Sequence, residues 1–299
     1  MVTGQAPCFG RTLLGEGTHA AFQRLRGRGR RTLQKDARGP AFVLKTLEWP
    51  LINPQLEGGS LDWGDGEFGV LLLHGLTATT AEVRPLAAHL RDRGYRVVAP
   101  LLPGHGTTPD DLNLTTRQQW IQTVEQAYAT LAQSCRCLAV AGESAGAVLA
   151  LHLASEHPEL AAVICYAPAL RLAFSDWDHL RFILAAPFIP HAPKRASDKD
   201  EMPWQGYPVN PLKAGVQLIR LQTEVRKRLP RLHHPLLIFQ GRHDPTIRAN
   251  CGEMIQQGVG SAFCKIRWLE NSEHVLLLDE DAETVLQETE GFLQRTLRS

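Results

Sequence analysis

What is missing from this chain narrows it before any motif is found. No run of about eighteen apolar residues occurs, which excludes a membrane-spanning helix of ordinary length. The first thirty residues hold no apolar stretch of the kind a secretory signal needs, so a soluble, cytoplasmic protein is expected. Charge of neither sign dominates: 32 Lys and Arg against 31 Asp and Glu leave a net +1. No global field therefore selects an anionic partner, and no nucleic acid partner is expected. Cysteine is sparse, and Cys8, Cys135, Cys137, Cys165, Cys251 and Cys264 are scattered mostly through apolar stretches, so reduced thiols are expected rather than a disulfide framework. No segment repeats at a period of about 20 to 50 residues, which excludes solenoids and propellers.

What is present is a globular composition, 43% apolar and 21% charged over 299 residues, enough for one large domain with an insertion. One charged patch stands out, FQRLRGRGRRTLQKDAR at 22–38, with seven Lys or Arg against a single Asp. It reads first as a solvated arm, with weak membrane-surface contact through Arg24–Arg38 as the alternative and a mitochondrial transit peptide behind both.

From residue 68 onward, short apolar runs alternate with helical patterns, as in a parallel sheet covered by helices. Strands are expected at 68–75, 95–102, 135–142, 160–168, 235–241 and 263–270, with FVLKTLEW at 42–49 as an antiparallel edge strand. Helices are expected at 80–93, 115–133, 145–156, 211–228, 247–257 and 281–297, the last with Val285, Leu286, Thr289, Phe292, Leu293, Thr296 and Leu297 on one face. The rhythm breaks between about 169 and 232, where an insertion rich in aromatics and proline reads as a lid.

VAGESAGAVL, residues 140–149, sets Ser144 between Gly142 and Gly146. Gly-x-Ser-x-Gly alone is weak, because 25 glycines and nine serines supply about 0.06 copies by chance. Context strengthens it. An apolar run precedes it and a helical pattern follows, the strand–turn–helix setting that thrusts a serine out at the carboxyl edge of a sheet. The bland alternative is a small residue in a turn that had to be tight. If Ser144 is a nucleophile, a side chain at either glycine would collide across that turn.

A hydroxyl needs a base, and in this setting the chain order runs serine, acid, histidine. Of twelve histidines, His274 stands in ENSEHVLLLDED between the last strand and the last helix, whereas His152 lies mid-helix and His89 on a helical pattern. Asp244 in QGRHDPTI closes a strand, with capping of the next helix as its other reading; His243 is expected to face away or tune the loop. Two backbone donors should receive the oxyanion: the N–H of Ala145, after the nucleophile, and that of Leu76, after the strand LLLHG. Gly75 lets that loop turn, and His74 is expected to brace it.

VLLLHGLTATTAEVRPLAAHLRDRGYRVVAPLLPGHG, the Ser144 turn, GRHDPTI and ENSEHVLLLDED together resemble the α/β-hydrolase superfamily over roughly residues 68–299. Within it they are most similar to small bacterial carboxylesterases and monoacylglycerol lipases. The resemblance implies an α/β-hydrolase fold, a mostly parallel central sheet covered by helices on both faces with a helical cap insertion at about 169–232; the domain is expected to span 41–299, behind an arm at 1–40 read from its basic charge. The resemblance also implies Ser144, Asp244 and His274 as catalytic triad, Leu76 and Ala145 as oxyanion hole, and His105 in PGHG as structural. The expected reaction is cleavage of a lipophilic carboxylic ester through an acyl-enzyme, with no cofactor. A thioesterase or acyltransferase with the same triad is the alternative, and a non-catalytic binding module on the same fold a further one. GESAG departs from the small esterases, where an apolar residue or histidine precedes the serine. Glu143 reads as a polar contact beneath the turn or as a group that tunes the site.

Two decoys are set aside. GDGEFG at 64–69 fits G-x-G-x-x-G but precedes a strand, and its Asp65 and Glu67 would repel a pyrophosphate. Cys135 and Cys137 are alternate residues of a strand, and with His233 and His234 they match no recognised metal-ligand spacing, so no metal is expected.

Overall fold

The protein was analysed as a computed structural model that describes residues 49–194 and 202–297. The segment Arg24–Arg38, Cys8 and all of FVLKTLEW but its last residue lie outside the described residues. In chain order the strands are β1 (Leu61–Trp63), β2 (Phe68–Leu73), β3 (Arg96–Ala99), β4 (Cys137–Glu143), β5 (Ala162–Tyr166), β6 (His191–Pro193), β7 (Val209–Pro211), β8 (Leu236–Gly241) and β9 (Cys264–Leu269). Seven of them form one sheet in the order β1-β3-β2-β4-β5-β8-β9, and β6 pairs with β7 alone. Only β1 runs antiparallel in the large sheet.

β2, β4, β5 and β8 are buried at every position, which is why they appear in the sequence as unbroken apolar runs without alternation. β9, at the open edge, alternates partly buried with exposed residues over most of its length. The helices are α1 (Arg84–Arg91), α2 (Pro109–Leu114), α3 (Arg117–Ala132), α4 (Ala145–Glu156), α5 (Asp176–Ala185), α6 (Leu212–Arg228), α7 (Cys251–Gly258) and α8 (Ala282–Leu297). α1 packs with α8, and α3 and α6 pack with α4, giving two layers over the sheet. α4 is apolar almost all round and is buried from Ala145 to Ala154. α8 buries Val285, Leu286, Thr289, Phe292, Leu293 and Leu297, and Thr289 Oγ1 lies 2.9 Å from the Tyr166 hydroxyl in β5.

The architecture is the one anticipated, with local differences. The helix expected at 80–93 is a 3₁₀ turn, Thr80–Glu82, followed by α1, because Thr79 caps the turn and Pro85 restarts the helix. α7 begins at Cys251 rather than 247, since residues 244–247 are occupied by a turn around Asp244. Short elements were not legible: β1, β6 and β7 have three residues each, and α2 has six. Cys135, Cys165, Cys251 and Cys264 are free thiols, as expected. Among the described residues no helix is long and apolar enough to cross a membrane.

Leu293 is fully buried between α8 and the sheet. Leu293→Ala should lower the unfolding free energy by about 2–5 kcal/mol, read from urea titrations at constant m-value.

Candidate active site

β4 ends at Glu143 and α4 starts at Ala145, so one residue turns the chain. Ser144 takes φ 54° and ψ −111° to do it, a left-handed backbone that residues with a Cβ rarely adopt. Two hydrogen bonds hold it there: Ser144 N–H donates to the Tyr166 carbonyl at 2.9 Å, and Ala169 N–H donates to the Ser144 carbonyl at 3.1 Å. The flanking glycines make the room. A Cβ on Gly142 would stand 2.3 Å from the Gly146 carbonyl oxygen, and one on Gly146 would stand 2.1 Å from that of Leu73 in β2. One glycine is required by the helix and the other by the neighbouring strand.

The turn leaves Ser144 partly exposed between two buried neighbours. The structure brings the three expected side chains together there. Ser144 Oγ lies 2.9 Å from His274 Nε2, and His274 Nδ1 lies 2.6 Å from Asp244 Oδ2. With Nδ1–H donated to the carboxylate, Nε2 is left to accept from the serine hydroxyl. The side chains of His274 and Asp244 are 9% and 2% exposed, so this chain is largely shielded from water. Asp244 Oδ1 meanwhile accepts from Thr246 N–H at 2.8 Å and Ile247 N–H at 3.3 Å. The contact with the imidazole and the contacts within the turn thus fall on different oxygens of one carboxylate. His243 is exposed. His152 sits in α4 with Glu224 at 3.4 Å and His89 beside Glu290 at 3.0 Å, away from the serine.

The loop after β2 is shaped by His74. Leu102 N–H donates to His74 Nε2 at 3.1 Å, which leaves the proton on Nδ1, and Nδ1–H donates to the Gly75 carbonyl at 2.9 Å. That carbonyl and the Leu76 N–H belong to one trans peptide and point in opposite directions, so anchoring the first aims the second. Among the described residues Leu76 N–H donates to no protein acceptor, and Ala145 N–H, first in α4, has no intrahelical one. Gly75 adjoins the serine: a Cβ there would lie 3.4 Å from Ser144 Cβ. His105 is buried with Nδ1 3.2 Å from the Leu102 carbonyl, edge-on to His74 with ring centroids 4.9 Å apart. Burial pushes His74 down to about 4 and, with repulsion from His74, holds His105 well below the ordinary histidine value.

Two buried carboxylates flank the serine. Glu143 accepts from Leu277 N–H at 3.4 Å, which links the base of the turn to the loop that carries His274. Glu82 accepts from Gly75 N–H at 2.6 Å and from Trp204 Nε1–H at 3.1 Å. Glu82 and Trp204 were not anticipated, because neither belongs to a spaced motif. A lone glutamate in the otherwise apolar or small stretch TATTAEV was the sole signal.

A partly exposed serine on a strained strand–helix turn, in line with histidine and aspartate on a mostly parallel α/β sheet, defines a serine hydrolase of the α/β-hydrolase fold. Comparison with known proteins agrees. Residues 67–281 match the Hydrolase_4 family, described as serine aminopeptidase S33, and the chain belongs to that family. It is 32% identical over 248 residues to a thermostable monoacylglycerol lipase of Bacillus sp. strain H-257, covering 81% of this chain and 97% of that one. It is 30% identical over 235 residues to a carboxylesterase of Bacillus subtilis strain 168, covering 77% and 94%. Among solved structures, one from a study of two metagenome-derived lipolytic enzymes superposes with a TM-score of 0.74 at 32% identity, over 80% of this chain and 98% of the other. The monoacylglycerol lipase of Paleococcus ferrophilus, at 18% identity, shares the fold with a TM-score of 0.68 over 79% of this chain and 98% of its own.

Gly146→Ala should destabilise the protein by roughly 1–3 kcal/mol, read by denaturant titration, because its methyl group meets backbone that cannot move aside. A second expectation concerns acid. His74 stays neutral in the folded protein down to about 4, whereas the unfolded chain takes up its proton near 6.5. The unfolded state binds more protons between these values, so stability should rise with pH across that window and be lost as pH falls through it. His74→Gln should flatten this slope in thermal melts recorded between pH 4 and 7.

Proposed function

We propose that the protein hydrolyses lipophilic, uncharged carboxylic esters, monoacylglycerols among them, through an acyl-enzyme on Ser144. Ser144 Oγ attacks the ester carbonyl carbon while His274 Nε2 takes the hydroxyl proton. Asp244 keeps the imidazole in the required tautomer and stabilises its positive charge. The N–H groups of Leu76 and Ala145 receive the oxyanion of the tetrahedral intermediate. Collapse expels the alcohol, protonated by His274. Water then attacks the acyl carbon, giving its proton to His274, and the acid leaves as Ser144 is restored.

The observation that carries this reading is the continuous chain of Ser144, His274 and Asp244 at 2.9 and 2.6 Å. Ester hydrolysis is further supported by the names of the curated relatives, one a monoacylglycerol lipase and the other a carboxylesterase. A lipophilic substrate is supported by the connection from β5 to β8, read as a cap over the acyl pocket. It exposes Trp177, Leu184 and Phe188 at 63%, 62% and 85%. Apolar side chains gathered at one surface are an unusual cost unless something apolar meets them.

The test is a panel of esters graded by acyl length, with monoacylglycerols, a thioester and an aminoacyl amide alongside. Wild type should release acid from the esters, and Asp244→Asn should lose about 10⁴-fold in kcat. A fluorophosphonate should label wild type and leave Ser144→Ala unlabelled. Equal labelling of the two, or a flat panel at background, would remove the proposal. Glu143→Gln, which keeps shape and removes charge, should leave kcat within about twofold if the carboxylate serves as a structural contact beneath the turn.

A further inference from the structure

The loop that offers the Leu76 N–H is strained, and what restrains it comes largely from the β5–β8 connection. Thr77 has φ 69°, a true outlier for a β-branched residue. Such strain persists where surrounding contacts over-determine it. Here Tyr207 N–H donates to the Thr77 carbonyl at 2.9 Å, Lys194 Nζ donates to Thr77 Oγ1 at 2.7 Å, and Thr79 N–H donates to the Gln205 carbonyl at 3.1 Å. Gly206 fits because a Cβ there would stand 2.3 Å from the Thr77 carbonyl oxygen.

The indole of Trp204 joins these contacts to the loop's other end. Its Nε1–H and the Gly75 N–H converge on the two oxygens of Glu82, and its face carries Lys194 Nζ at 4.2 Å. Trp204 also packs in a small cluster with Ala78 of this loop and Val275 of the His274 loop. Glu82 and Trp204 are each 4% exposed. A carboxylate removed from water is a poor stabiliser compared with an apolar side chain of its size. It is a good orienter, since it alone accepts from two converging donors at charge-assisted strength.

We propose that Glu82, Trp204 and Lys194 are positioning residues which hold Gly75–Thr77 in the shape that presents the Leu76 N–H to the oxyanion, so that the oxyanion hole is complete only while the β5–β8 connection is seated. The inference rests on the reading of Leu76 as an oxyanion donor. It assigns part of the catalytic geometry to a segment outside every motif of the chain.

A trifluoromethyl ketone, which adds to the serine and places an oxyanion in the hole, tests it alongside ester turnover. Rates are expressed per site titrated to completion with a fluorophosphonate, which discounts misfolded protein. In Glu82→Gln the amide has one acceptor oxygen for two donors. Its kcat should fall by roughly 10- to 100-fold at a KM within about twofold, and its ketone affinity should weaken by a similar factor. Trp204→Phe keeps an aromatic ring but removes the N–H donor together with part of the indole volume, and Lys194→Met keeps the stem; both should show the same pattern at smaller size. The inference is overturned if the soluble variants keep wild-type kcat per titrated site and wild-type ketone affinity, whatever their melting temperatures. Wild type inactive on every ester, with ketone binding still weakened by Glu82→Gln, would defeat the ester reading and support this one.

Discussion

The site depends on one improbable backbone conformation, the left-handed turn at Ser144. Its cost is met by tight packing: Gly142 lies against the first turn of α4 and Gly146 against the end of β2, and the serine's own N–H and C=O are tied to Tyr166 and Ala169. Because the turn is anchored in the middle of the sheet, between β2 and β5, it moves only if the core moves. A hydroxyl held this way waits at a defined point for groups delivered by other strands. The loop after β8 delivers Asp244 and the loop after β9 delivers His274, both at the same carboxyl edge.

A second strained residue, Thr77, stands beside the first site, and the two are stabilised differently. Ser144 is held by the close-packed sheet and α4, which are parts of the main core. Thr77 is held by Lys194 and by Tyr207, both from the β5–β8 connection, and Tyr207 is fully buried in the main core. The Ser144 turn is therefore held from within the sheet and α4, while the proposed oxyanion loop is held across the fold largely by buried residues of the β5–β8 connection.

The central strands and the long helices were legible in the sequence because each is long enough to show its burial. VLLL in β2 and the 16-residue face of α8 carry their periodicity in their own residues. β1, β6 and β7 were not, since three residues pair only because a partner strand is already in place. The start of α7 was misplaced because Asp244 organises a turn that propensity does not see.

By itself, the sequence determined the class of fold, the residue at the sharp turn, and the order in which acid and histidine follow it. These are set by local rules, namely which runs are apolar, where glycine is needed, and which residue types can accept a proton. Tertiary structure decided the rest. The meeting of Asp244 with the His274 imidazole, the anchoring of His74 by the Leu102 N–H, and the meeting of Glu82 with Trp204 across 122 positions all depend on distances between segments far apart in the chain. No short-range pattern encodes such a distance, because it is fixed only when the sheet closes its strands into register and brings their loops to one edge.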